Sequence, residues 1–179
     1  MRFLRIITEE DAGIPPLIHE RTAIRQAARA VVLDSRGNIA LLYVATDNYY
    51  KLPGGGVEAG ETIEDALHRE VMEEAGCPIT IQREVGMIEE HRNAWGITQA
   101  SYCYIATVVG PCTESSFTKQ EIENGFELDW VSPGQSLLLI RDSLPQTYLG
   151  KFVQVRDQLF LEQALEVLRK AEISDGILG

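Results

Sequence analysis

A chain of 179 residues with 45% hydrophobic content is long enough for one substantial core and too short for two. Its 27 acidic residues against 16 basic give a formal net charge of -11, which argues against DNA or RNA as the main partner, because a phosphate backbone is bound by clustered Lys and Arg. A small phosphorylated ligand stays open, provided a metal supplies the positive charge.

The chain starts with "MRFLRIITEEDAG", which reaches Glu9 and Glu10 before the apolar core of a signal peptide can develop. No later run approaches transmembrane length, so the expectation is a soluble cytoplasmic protein with no membrane partner. Residues 1–22 read as an irregular lead-in with room for one short strand. From Arg25, "RQAARAVVLD", the turn residues "SRGN" and "IALLYVAT" read as a β-hairpin. "DNYYKLPGGG" is a loop by composition. Thr62 is the expected N-cap of a helix over Ile63–Ala75, with Asp65 three residues on, and Gly76 followed by Pro78 is its stop.

"ITIQREVGMIEEHR" and "ITQASYCYIATVVG" flank the turn-like "NAWG" as a long hairpin. A polar loop, "PCTESSFTKQEIENG", leads to a strand at "FELDWVS", where Phe126, Leu128 and Trp130 alternate with Glu127 and Asp129. Ser132 and Pro133 open a short helix. A long packing helix over residues 151–171 carries Phe152, Val155, Leu159, Phe160, Ala164, Val167 and Leu168 at mostly helical spacing. Cys77, Cys103 and Cys112 are an odd set with no CxxC spacing, which indicates neither a disulfide framework nor a zinc site and reads as thiols in a reducing compartment. The whole reads as one domain, with a core at 23–140 and a helical extension at 141–179.

The helix raises the chemical question. Glu70, Glu73 and Glu74 project in neighbouring directions, and Glu70 and Glu74 continue the stripe of Ile63, Ala66 and Leu67. The apolar face thus runs into acid. Like charges at this spacing each destabilise a helix by roughly 0.2–0.5 kcal/mol, so a positive charge is expected among them. Three carboxylates with hard oxygen atoms suit Mg²⁺, or Mn²⁺ in its place. Gly54, Gly55 and Gly56, just ahead of the helix, allow a backbone to approach the acids or a ligand closely.

The segment resembles the signature of the Nudix hydrolases, G-x5-E-x7-R-E-U-x-E-E-x-G-U, where U is a bulky aliphatic residue. Gly55, Glu61, Arg69, Glu70, Val71, Glu73, Glu74 and Gly76 stand at its positions, and Cys77 replaces the last aliphatic residue. The resemblance implies an α/β fold, an α/β/α sandwich with a mixed β-sheet and a C-terminal packing helix. It also implies Mg²⁺-dependent hydrolysis of a nucleoside diphosphate linked to another moiety. By the same resemblance Glu70, Glu73, Glu74 and the Gly54 carbonyl would hold the metal, and Arg69, pointing away from these acids, would orient Glu61.

Family members recruit their base from different places, and of Glu121, Glu123 and Glu127 the expected candidate is Glu123. Tyr49, Tyr50 and Trp95 are candidates for stacking on a base, with Tyr50 and Trp95, beside Gly55 and Gly56, as the expected substrate contacts. Arg21, Arg25 and Lys51 are candidates for phosphate contact, and His91 could titrate near neutral pH. ADP-ribose-like compounds and noncanonical nucleoside triphosphates are the substrate candidates, and the resemblance leaves room for a homodimer. The alternative is a nucleotide-sensing module of the same fold without turnover.

Overall fold

The computed structural model describes residues 1–18, 20 and 23–176, and side chains as far as residue 171. Arg21 therefore lies outside the described residues. The strands are β1 (Phe3–Ile7), β2 (Ala23–Leu33), β3 (Ile39–Val44), β4 (Tyr49–Lys51), β5 (Ile79–Arg92), β6 (Ile97–Val108) and β7 (Phe126–Val131). The helices are α1 (Ile63–Ala75), α2 (Lys119–Glu123), α3 (Pro133–Arg141) and α4 (Tyr148–Gly176).

The sheet is mixed. Its order is β1-β5-β6-β2-β3-β4, with β7 on the other side of β3; β1/β5 and β2/β6 run parallel and the remaining pairs antiparallel. The expected first hairpin exists only at its turn, where Leu33 faces Ile39, because β2 spends its length on β6, from Ala23 opposite Ile97 to Leu33 opposite Thr107. The expected second hairpin, β5 and β6, is joined by a 3-10 turn at Asn93–Trp95.

Alternation along the strands sends residues to two cores. Ala28, Ala30 and Val32 pack with Ala66, Leu67 and Val71 of α1 on one face of the sheet. Val31, Ile88, Cys103 and Ile105 pack with Phe152, Phe160, Leu161 and Ala164 of α4 on the other, so the sheet lies between helices.

The α1 boundaries follow from its caps. The Thr62 side chain accepts from the Asp65 N–H, the Asp65 side chain accepts from Thr62, and Gly76 closes the helix in the left-handed conformation. Two expected loops contain short elements instead. "YYK" forms β4 because the free edge of β3 takes it up, and "KQEIE" forms α2 through a capping box between Thr118 and Glu121. The expectation of free cysteines is also corrected. Cys77 and Cys112 form a disulfide, Cα atoms 4.4 Å apart, that fastens the loop after β6 to the end of α1. Cys103 alone is a free thiol, buried in the core. Spacing along the chain cannot show this pairing, since 35 residues separate the two. Among the described residues no helix is long and apolar enough to cross a membrane.

Candidate active site

Helix α1 presents its acids at graded depth. The Glu74 side chain is 1% exposed, that of Glu70 12% and that of Glu73 39%, so the stripe runs from core to solvent. Buried Glu74 is held from two sides: Lys51 Nζ lies 2.6 Å from its Oε1, and the Gly54 N–H donates to its Oε2 at 2.5 Å. Burial pushes its carboxyl above the ordinary glutamate range, while the Lys51 ammonium and the Gly54 N–H pull it back.

The glycine run is pressed against these acids. Ala28 and Ala30 of β2 donate their N–H groups to the carbonyls of Gly55 and Pro53, which leaves the intervening Gly54 carbonyl unspent on β2. Gly54 has φ +130°, and a Cβ there would meet the Ala28 carbonyl oxygen at 2.1 Å. A Cβ on Gly55 would overlap the Glu70 carboxylate, with Oε1 at 2.2 Å. Only glycine lets the backbone come this close.

Arg69 does not point away from the acids, as the sequence reading has it. Its Nε and Nη2 donate to the two oxygens of Glu61 at 2.7 and 3.0 Å, Nη2 also to the Gly56 carbonyl at 3.0 Å, and Nη1 to Glu70 at 2.8 Å and Glu73 at 3.4 Å. The long side chain folds back over the loop that it anchors. Arg69 holds the Glu61 carboxyl down at about 2, with the Glu58 N–H adding to the effect, and the guanidinium itself is held above its ordinary value by Glu61.

Among the described residues no three acids, His or Cys stand together as a ready-made metal cage. Instead Lys51 and Arg69 supply the positive charge. The donor set nevertheless fits a hard divalent cation: three carboxylates, one unspent backbone carbonyl and a glycine backbone against them.

The remaining expected residues divide. Glu123 lies on α2, its side chain 64% exposed and facing Lys119 at 3.7 Å. Tyr50 turns to the opposite side of β4 from Lys51, where it packs on Tyr43, donates to Asp129 and lines a depression of about 320 Å³ against α3. Tyr49, not Tyr50, shares the face of Lys51. Trp95 is half exposed on the 3-10 turn, with the Arg92 guanidinium 5.7 Å from its ring. His91 pairs with Glu89 at 2.5 Å.

Sequence reasoning names Arg25 and Lys51 for phosphate contact but passes over the buried ionic floor to which they lead. A cleft of about 210 Å³ is lined by Arg25, Arg29, Lys51, Arg92 and Arg156 together with Tyr49, Gly56, Gln99, Asn124 and Phe126. Beneath it, fully buried Glu90 accepts from Arg92 at 2.6 Å, Ser101 at 2.8 Å, Gln99 at 2.9 Å and, at 3.5 Å, Arg156. Buried Asp157 accepts from Arg156 Nε at 2.7 Å and from the Leu52 N–H at 2.8 Å, which ties α4 to the strand leading into the glycines. Burial, with Arg156 nearby, lowers Arg29 to about 10, and burial also lowers Arg92. The signal was present in the strands: Arg25 and Arg29, Glu90 and Arg92, and Gln99 and Ser101 each stand an even number of residues apart, so each pair shares one face of its strand.

Comparison with known proteins bears on this geometry. Residues 23–148 match the family described as NUDIX domain. A Bacillus subtilis (strain 168) protein provisionally named an 8-oxo-dGTP diphosphatase is 27% identical over 113 residues, covering 62% of this chain and 68% of that protein. Among solved structures, Caenorhabditis elegans Ap4A hydrolase superposes with a TM-score of 0.56 at 18% identity, covering 82% of this chain and 99% of that one. A UDP-X diphosphatase superposes with a TM-score of 0.54 at 17% identity, covering 81% of this chain and 64% of that one. At these identities the structures share the fold.

Proposed function

We propose, from the premise that this chain belongs to the NUDIX family and is a hydrolase of phosphoric anhydride bonds, that it is a Mg²⁺-dependent pyrophosphohydrolase acting on a nucleoside diphosphate linked to another moiety. ADP-ribose-like compounds and noncanonical nucleoside triphosphates are the substrate classes. The observation that carries the reading is the depth of Glu74, a buried carboxylate continuing an apolar stripe and lying against a glycine backbone and an ammonium. A merely solvated helix face would leave that acid outside.

In this reading Glu70, Glu73, Glu74 and the Gly54 carbonyl hold the cation. When bound, the cation supplies charge neutralisation for the diphosphate and acidifies a coordinated water. The chain's own residues do the rest. Arg69 is a positioning residue: bonded to Glu61, Gly56, Glu70 and Glu73, it fixes the acids relative to the loop. Glu73, the most solvent-facing of the three, accepts the proton of the attacking water and can pass it to bulk solvent. Glu123 on α2 is the alternative base, its exposed carboxylate facing Lys119. Gly55 and Gly56 bring backbone to the substrate, and Trp95, beside Arg92, offers an exposed ring for stacking. The cytoplasm remains the proposed location, where Cys77 and Cys112 would meet a reducing medium.

The test is a panel of nucleoside diphosphate derivatives incubated with Mg²⁺, with release of a nucleoside monophosphate or pyrophosphate read by chromatography. Turnover should vanish with chelator and fall at least a hundredfold in Glu74→Gln at unchanged circular dichroism. Turnover indifferent to chelator would refute the metal-dependent mechanism, and nucleotide binding without turnover would favour the sensing module.

A further inference from the structure

The cleft beside the acids carries more positive charge than the protein compensates. Among the described residues five cations line it, Arg25, Arg29, Lys51, Arg92 and Arg156, whereas the carboxylates bonded to them are three, Glu74, Glu90 and Asp157. Two positive charges are left over in a chain whose formal net charge is -11. Of these two, Arg29 is buried, 8% exposed, where an uncompensated charge is costly, and Arg25 stands at the exposed mouth. Among the described residues, the buried side-chain atoms without a hydrogen-bond partner are Arg29 Nε, Arg92 Nε and Arg156 Nη2, all on guanidinium groups that line this one cleft. Water could satisfy a spare N–H. It cannot balance charge.

The missing partner is therefore an anion, and its charge and size narrow it. At about 210 Å³ the cleft falls below the roughly 300–1,000 Å³ of sites that enclose a whole ligand, so it takes a group rather than a nucleoside. Two surplus positive charges match a terminal phosphoryl group, which carries close to two negative charges at neutral pH, better than an internal phosphodiester with one. Lys51 and Gly56 belong at once to the cleft lining and to the contacts of α1, so a chain of phosphates passing the acids would end among the arginines.

We infer that the arginine cleft receives the terminal phosphoryl group of the substrate, and that the preferred substrate is a nucleoside polyphosphate with a free terminal phosphate rather than a sugar-capped diphosphate. This rests on the hydrolase reading for the word substrate, but the anion site itself does not depend on a metal.

The experiment is isothermal titration of the full chain with inorganic pyrophosphate in EDTA, with malonate as a carboxylate control. Arg29→Gln is the informative variant, because Arg29 donates to the Ala28 carbonyl and no carboxylate is left bare by its loss. Arg25→Gln at the exposed mouth is the second. Pyrophosphate should bind the wild-type chain, at least tenfold more weakly to Arg29→Gln and several-fold more weakly to Arg25→Gln, with thermal stability of Arg29→Gln unchanged or raised. With Mg²⁺ present, kcat/KM for a nucleoside triphosphate should fall at least tenfold in Arg29→Gln while that for ADP-ribose moves little. Turnover by a protein that binds no pyrophosphate in EDTA would overturn this inference and leave the hydrolase reading standing. Binding without turnover on any nucleotide would do the reverse. Malonate bound as tightly as pyrophosphate would overturn the phosphoryl assignment.

Discussion

Lys51 Nζ and Glu74 Oε1 lie 2.6 Å apart with their side chains 11% and 1% exposed, so the edge strand β4 and the acid helix α1 meet through a buried ion pair. Breaking a buried pair from one side leaves the other charge unpaired, at a cost of about 3–5 kcal/mol. Lys51→Met should therefore lower the free energy of unfolding by roughly 3 kcal/mol, as read from urea denaturation. A loss below about 1 kcal/mol, the size typical of exposed pairs, would show that Glu74 does not rely on Lys51.

Gly55 separates fold from site. A methyl group there would enter the space of the Glu70 carboxylate, the far end of a side chain that can swing aside. Gly55→Ala should leave the melting temperature within a few degrees of the parent while weakening Mn²⁺ binding, read by electron paramagnetic resonance, by tenfold or more. Unchanged Mn²⁺ affinity would remove Glu70 from the ligand set.

The Glu61 carboxyl sits at about 2, against 4.5 for an ordinary glutamate, through its hydrogen bonds to Arg69. Because the folded-state value is depressed, the stabilisation from this contact is complete above the unfolded value near 4.5 and is lost as pH falls through about 2. Carboxyl carbon shifts of Glu61 should titrate near 2 in the wild-type chain and near the ordinary range in Arg69→Met. A midpoint near 4.5 in the wild-type chain would dissolve the clamp.

Cys77 and Cys112 close a loop across a separation of 35 residues, for which a disulfide typically contributes about 2–4 kcal/mol. Cys112→Ser should lose that amount in denaturant titration. Mass spectrometry of the untreated protein should show one disulfide and the free thiol of Cys103; three alkylated thiols would show that the bond does not form.

What the sequence disclosed follows the range of the forces involved. Helix α1 was legible to its ends because its caps, Thr62 with Asp65 and then Gly76, are local, and the run of its apolar stripe into Glu70 and Glu74 followed from helical geometry, whereas the depth of each acid came only with the fold. Strand β4 was not legible. Tyr49, Tyr50 and Lys51 have no pattern of their own and become a strand because β3 offers an edge, so the side to which each aromatic turns could not be read. The Cys77–Cys112 bond and the reach of Arg69 back to Gly56 depend on where distant segments meet. The arginine cleft joins β2, β4, β5, β6 and α4, and the sequence reading pointed to it only through Arg25 and Lys51 as candidates for phosphate contact, while Arg29, Arg92 and Arg156 come together through the fold.

Arg156 and Asp157 reach the ionic floor from α4, beyond the stretch at 23–148 that carries the family likeness. The wall of the cleft is thereby drawn from both sides of that boundary, with Arg25, Arg29, Lys51 and Arg92 inside the stretch and Arg156 outside it. Exchange of the last helix would strip Asp157 from the Leu52 N–H and Arg156 from Glu90, so that helix and the glycine run before the acids are bound to change together.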